Sequence, residues 1–297
     1  MTLVVARRCE GRIYMVSDTK LTPTIKLAPK VDRECSGQVY FIGALKIVVP
    51  HPGVAIAFAD TVEFARQAIE GIHSCGVDLF DKNTVLNYLL SHHQQSLQLG
   101  NNASVEFIAA FILDSGDSEL FLVKNGEVLW VDAGYIGDAD SYNSFLHHEH
   151  RLAASTGPTP FPLGVAMQAL DAVIRDPTLD YRVVDGFAVA LRQSEENGFV
   201  FVNRISVEGC PIAVHSGPMA PVTFGGAPVG ANEWIIGSSP GDSFGVLTAF
   251  CHTGSFGIIY RPALSFEPRI VRDCTAASLV NESMQEVRQI SALLDSL

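Results

Sequence analysis

Hydrophobic periodicity along this chain switches between about two residues and about 3.6 and back again, twice, and that alternation limits the folds open to it. Residues 2 to 9 are apolar and rich in Val, residues 11 to 19 are strand-like as well, and Glu10-Gly11 between them is a tight-turn signal. The chain therefore opens with a β-hairpin. A stretch without clear period follows from 21 to 37, holding Pro23, Pro29 and several charges. Residues 39 to 42, 46 to 49 and 54 to 59 then read as strands, the last two joined by Pro50-His51-Pro52-Gly53. Beyond them Val62, Ala65, Ala68, Ile69 and Ile72 fall on one helical face capped by Asp60 or Thr61, and a second helix is expected over 83 to 97.

The pattern then repeats. Residues 107 to 113, 119 to 123 and 128 to 131 form a meander, turned by Asp114-Ser115-Gly116-Asp117 and by Asn125-Gly126. Helices over 141 to 154 and 163 to 175, the second ending before Pro177, precede a strand pair at 183 to 191 and 198 to 202. Strands, two helices, strands, two helices, strands: this order fits an α+β sheet sandwich covered by helix pairs better than an alternating βαβ fold. From about Ser206 the composition shifts. Gly and Pro are dense through Gly245, and no Lys follows Lys124. Residues 246 to 250 and 257 to 260 read as strands, and 277 to 294 carries a helical face of Val280, Met284, Val287, Ile290 and Leu294. We expect a boundary near 205, separating 1–205 from a C-terminal extension, 206–297.

Charge and cysteine usage narrow the function. With 20 basic and 32 acidic residues, the net charge of −12 repels a phosphate backbone, so no nucleic-acid partner is expected. Six cysteines are scattered without a C-x-x-C pair and read as reduced, mostly core thiols. The apolar start before Arg7-Arg8 is too short for a signal h-region, and no segment offers ~18 uncharged apolar residues. A cytoplasmic chain with no membrane contact is expected.

Five segments carry a family likeness by their order and spacing. They are Thr2-Leu3-Val4-Val5; Val16-Ser17-Asp18-Thr19-Lys20-Leu21-Thr22; Lys46-Ile47 leading to Val54-Ala55-Ile56-Ala57-Phe58-Ala59-Asp60; the meander around Asn125-Gly126-Glu127; and Ile136-Gly137-Asp138 before a helix. Over residues 2 to 205 the chain resembles the proteasome β-type peptidases of the N-terminal nucleophile hydrolase superfamily, including the bacterial two-component heat-shock peptidase. The resemblance implies a four-layer αββα sandwich and a threonine-type peptidase or amidase without cofactor or metal. It also implies a self-compartmentalising homo-oligomeric ring that acts on peptides or proteins and is served by a separate ATP-dependent unfoldase.

The chemistry behind that resemblance is specific. Loss of Met1 would leave Thr2 first in the chain, with a free α-amine whose ordinary pKa of ~7.7–8.0 suits a base near neutral pH. A Thr hydroxyl is a poor nucleophile unless a base accepts its proton, and its own terminal amine is one such base. The resemblance assigns to Lys46 the role of holding that amine neutral, and to Asp18 that of pairing with the lysine. The competing readings are an exposed strand-end Lys46 and an Asp18 making a local turn bond. Where the family has Gly-Ser-Gly this chain reads Gly137-Asp138-Ala139. Asp138 is able to accept the ammonium's hydrogen bonds, and as a second carboxylate it raises the amine pKa. The family's oxyanion strand ends here in Ala57-Phe58-Ala59, with Phe58 expected to reshape the adjoining pocket. Asp180 and Asp185 stand near a supporting acidic position. Two further readings stay open, a small-molecule amidohydrolase on the same fold and a non-catalytic scaffold subunit.

Other constellations carry less. His147-His148-Glu149-His150 and His92-His93 read as solvated helix faces, since neighbouring helical side chains diverge by about 100°. The glycine run 225–230 lacks phosphate-loop spacing, Cys251 and His252 face opposite ways on a strand, and Ser238-Ser239 and Ser255 lack a nucleophile elbow. The final amphipathic helix, without a Lys/Arg-rich face, reads as a packing or subunit-contact element.

Overall fold

A computed structural model describes residues 2–19, 31–35, 38–41, 43–99, 104–155, 162–176, 186–196, 198–207, 233–238, 245–251 and 255–294. Strands β1 (Leu3–Cys9) and β2 (Arg12–Ser17) form the opening hairpin, and β3 (Val31–Cys35) and β4 (Gln38–Phe41) a separate ribbon. Next come β5 (Ile47–His51), β6 (Val54–Asp60), α1 (Val62–Ser74) and α2 (Lys82–Gln98). The central meander is β7 (Val105–Ile112), β8 (Ser118–Lys124) and β9 (Glu127–Val131); β10 (Ala133–Gly137), which pairs with β1, is followed by α3 (Ala139–Ser155) and α4 (Pro162–Ile174). Then β11 (Val189–Ser194), β12 (Gly198–Phe201), β13 (Arg204–Val207), β14 (Glu233–Ser238), β15 (Leu247–Cys251), β16 (Phe256–Arg261) and β17 (Ser265–Val271) lead to α5 (Ala276–Leu294). No helix among the described residues is long and apolar enough to cross a membrane.

The architecture is mixed α+β with antiparallel sheets. One sheet has the order β10-β1-β2-β11-β12, a second β5-β6-β7-β8-β9, and a third β13-β14-β15-β16-β17. Turn chemistry sets the local pairings. Glu10 and Gly11 take φ of 51° and 77°, Asn125 and Gly126 take 54° and 82°, and two successive left-handed residues match the twist of the strands they join. Asp81 caps α2 by accepting the Asn83 N–H at 3.0 Å.

Side-chain parity then builds the layers. Val4 and Ala6 enter the buried cluster shared by the first two sheets, whereas Leu3 and Val5 pack outward on Phe145 of α3 and on Leu163, Ala166 and Leu170 of α4. On β6, Ala55, Ala57 and Ala59 face inward, while Val54, Ile56 and Phe58 meet Ile69 and Ile72 of α1 and Val85 and Leu89 of α2. Each of the first two sheets thus has a helix pair on one face and the other of the two on its second face. Burial on both faces is why these strands read as continuous apolar runs. The third sheet continues the inner cluster through Leu247, Ala249, Ile258 and Tyr260, and α5 covers it through Leu279 and Ile290.

Several local expectations need correction. Pro50 lies inside β5, at a register irregularity in an edge strand where its missing N–H costs no ladder bond, and the turn narrows to Pro52-Gly53. Ala133–Gly137, which carries no strand periodicity, is drawn into a sheet by pairing with β1, Leu3 opposite Gly137. His93 is not on a solvated face. It is buried, with Nδ1 2.6 Å from Val105 O and Nε2 accepting the Gly126 N–H at 2.9 Å, so α2 is fastened to both β7 and the β8–β9 turn. In the histidine-rich segment of α3, His147 and His150 are exposed, whereas Glu149 turns inward and takes both arms of the Arg7 guanidinium at 2.7 and 2.6 Å. Phe58, expected at the pocket, points away from the inner face toward α1 and α2. Lys20, Lys26, Lys30, Asp180, Asp185, residues 225–230 and His252 lie outside the described residues.

Candidate active site

Thr2 stands at the entrance to β1, 5% exposed. Two main-chain bonds hold the peptide unit that follows it: Thr2 O accepts the Asp138 N–H at 2.8 Å, and the Leu3 N–H donates to Asp18 Oδ1 at 3.0 Å. The register of the first hairpin explains why Asp18 is there. Val4 lies opposite Ser17, so the residue leaving β2 emerges beside Leu3, and its own N–H returns a bond to Leu3 O at 3.3 Å.

The second carboxylate oxygen of Asp18 accepts Lys46 Nζ at 2.9 Å, with the two side chains 0% and 1% exposed. Lys46 precedes β5, and its carbonyl accepts the Phe58 N–H at 3.0 Å. The second sheet thereby places the lysine main chain while the first sheet supplies the carboxylate. Withdrawing both charges from water costs several kcal/mol per ion, on the order estimated for buried pairs, which close geometry and further hydrogen bonds offset. Such a pair is weak support for a fold, and its presence points to a use for a dry, fixed ammonium.

Opposite it, Gly137 takes φ of 96°, and a Cβ there would lie 1.8 Å from Thr2 O. Only glycine permits this approach of β10 to the start of β1. Asp138 serves Thr2 through its backbone. Its carboxylate accepts the Ser141 N–H at 2.7 Å through Oδ2 and caps α3.

At the end of β6, Asp60 adopts φ of 74°, a left-handed conformation that glycine would take without strain. Burial pushes its carboxyl pKa up, the charge of Glu106 adds to this, and Lys124 opposes it. Glu106 is paired with Lys124 at 3.0 Å and receives the Gly137 N–H at 3.4 Å, and Lys124 Nζ sits 5.2 Å from the centroid of the Tyr135 ring. A charged rim therefore borders Gly137.

Three further residues matter here that motif reasoning did not single out. Ser17, fully buried, has a hydroxyl without a hydrogen-bond partner, and its parity in β2 is that of Ile13 and Met15, which face the inner cluster. Thr19 Oγ1 accepts the Phe187 N–H at 3.1 Å and lies 3.2 Å from Phe187 O, tying the exit of β2 to the approach of β11. Gly43 lies so close that a Cβ on it would be 2.0 Å from Thr19 O. A hairpin register drawn out residue by residue would have pointed to Ser17, whereas nothing local announces the contact between Gly43 and Thr19. No protein-family model and no curated protein matches the chain.

Proposed function

We propose that the chain is a threonine-type N-terminal nucleophile hydrolase, a peptidase or amidase on a four-layer αββα sandwich of the proteasome β kind. One observation carries this reading: the buried Asp18–Lys46 pair at 2.9 Å, whose acid also holds the N–H that follows Thr2. Removal of Met1 creates a terminal amine at that place. A neighbouring ammonium disfavours protonation of the amine and keeps it basic at neutral pH.

Proton transfer and nucleophilic attack then both run on Thr2. Its amine takes the Oγ proton as Oγ attacks the substrate carbonyl carbon, and Lys46 favours the negative charge that develops. The proton passes to the departing nitrogen as the C–N bond breaks, leaving an ester on Oγ. Water, yielding a proton to the amine, attacks the ester, and the proton returns to Oγ as the carboxylic acid departs. Asp138 N–H and Asp18 Oδ1 grip the peptide unit after Thr2, groups that none of these steps consumes. The same reading carries with it a homo-oligomeric ring acting on peptides or proteins that a separate ATP-dependent unfoldase delivers.

A non-catalytic scaffold subunit is the second reading, and Asp60 favours it. A carboxyl close to Glu106 and Asp138 opposes the effect of Lys46 on the amine whenever it ionises. Intact mass and a probe directed at N-terminal threonine separate the two. The enzyme reading expects a chain lacking Met1 and one adduct on Thr2 that Thr2→Ala abolishes. Retained Met1, or labelling equal in the two proteins, leaves the scaffold. Comparing peptide with small-amide hydrolysis then separates a peptidase from an amidase of small molecules.

A further inference from the structure

The third sheet reaches the lysine of this site. Tyr260, on β16, is 1% exposed, and its hydroxyl donates to Gly43 O at 3.0 Å. Gly43 begins the short segment that delivers Lys46 to Asp18. Gly43 also packs closely on Thr19, where a Cβ would stand 2.0 Å from Thr19 O, the main chain next to Asp18. Beyond Lys46, Gly245 lies against β5, where a Cβ would stand 2.8 Å from Val49 O. The C-terminal region thus touches the polypeptide before and after the lysine, and Leu45, Ile47 and Val49 share one buried cluster with Leu247, Ala249, Ile258 and Tyr260.

We infer that Tyr260 is a positioning residue for Lys46, and that the C-terminal sheet belongs to the scaffold holding the ammonium at Asp18. Its catalytic consequence rests on the threonine-nucleophile reading; its geometry does not. Tyr260 acts through residues 43–46. With the Gly43 carbonyl deprived of its donor, the segment shifts toward other hydrogen-bond partners and carries Lys46 away from Asp18. The Thr2 amine then loses a neighbouring positive charge, so its pKa rises.

Tyr260→Phe deletes the hydroxyl and keeps the ring in its cluster. Thr248→Val is the matched control: it removes another bond from a side chain to a carbonyl in the same sheet, Thr248 Oγ1 to Gly237 O at 2.8 Å. Lys46 is read first, by mass-spectrometric rates of reductive methylation on the full chain. Modification of Lys46 is expected about fivefold faster in Tyr260→Phe, the worth of one neutral hydrogen bond, and unchanged in Thr248→Val. Equal protection in all three proteins, or equal loss in both variants, overturns the inference. Hydrolysis is read second: Tyr260→Phe lowers kcat with KM unchanged and moves the acid limb of the pH–rate profile to higher pH. An unmoved limb in an active Tyr260→Phe also overturns it. A wild type that neither hydrolyses amides nor labels at Thr2 refutes the proposed function instead, and the methylation result still decides the link between Tyr260 and Lys46.

Discussion

The Asp18–Lys46 pair gives the sharpest test, because its stability cost and its chemical use can be measured apart. Lys46→Met removes the ammonium and leaves the Asp18 carboxylate, 0% exposed, without Lys46 as counter-ion. Breaking a buried pair from one side costs about 3–5 kcal/mol. Asp18→Asn does the converse: its carboxamide oxygen still accepts the Leu3 N–H, but the lysine loses Asp18 as a counter-charge, and a loss of about 3–5 kcal/mol is again expected. The double variant buries neither of these two charges and keeps the acceptor for Leu3, so it should lie only about 1–2 kcal/mol below wild type. The singles together would amount to about 6–10 kcal/mol, which makes the coupling at least about 4 kcal/mol. Urea unfolding at neutral pH, with constant m-values across the four proteins, measures the cycle. Additivity within about 0.5 kcal/mol, or singles each below about 1 kcal/mol, would mean that the pair behaves like a solvated surface contact. The reasoning about a dry ammonium would then be wrong. A double variant that is folded and inactive isolates the chemical role from the structural one.

Other expectations follow from single contacts. Gly137→Ala forces a residue with a side chain to φ of 96° and sets a Cβ 1.8 Å from Thr2 O; it should cost more than about 2 kcal/mol in urea unfolding and abolish labelling of Thr2, and a stable, labelled variant refutes the close approach. Ser17→Ala removes a buried hydroxyl that has no hydrogen-bond partner, so stability should hold or rise by as much as about 1 kcal/mol, and a clear loss would show that the hydroxyl is hydrogen-bonded after all. Asp60 has a raised pKa, owing first to burial and then to Glu106, so the folded chain binds more protons there than the unfolded chain. Its contribution to stability therefore falls as pH rises from the ordinary carboxyl range through the folded pKa. Asp60→Asn, which also tolerates the left-handed backbone, should be more stable than wild type at neutral pH, with the gain shrinking toward acid pH; urea midpoints that differ by a constant amount at every pH refute the assignment.

What could be read locally was read from local causes. Glu10-Gly11 and Asn125-Gly126 set hairpins because their backbones accept positive φ, and the helical faces of α1 and α2 follow from spacing near 3.6 residues. Asp18 and Lys46 were legible as residue types at strand ends, as was Thr2 behind Met1. Short-range pattern did not mark β10, since Ala-Gly-Tyr-Ile-Gly has no alternation and becomes a strand only where β1 offers it a ladder. The inward course of His93 was hidden for a similar reason: its partners, Val105 O and Gly126 N–H, belong to strands and turns outside its helix.

Composition, periodicity and turn chemistry by themselves determined that this chain makes antiparallel strands and helix pairs, whereas Thr2, Asp18 and Lys46 were singled out by the family resemblance. Only the tertiary structure decided that Asp18 and Lys46 meet in a dry place, that Gly137 presses on Thr2 O, and that Tyr260 reaches Gly43 from far along the chain. The reason is range: dihedral preference and side-chain period act within a few residues. Desolvation and hydrogen-bond pairing between distant segments depend on how the sheets pack, and no local window contains that information.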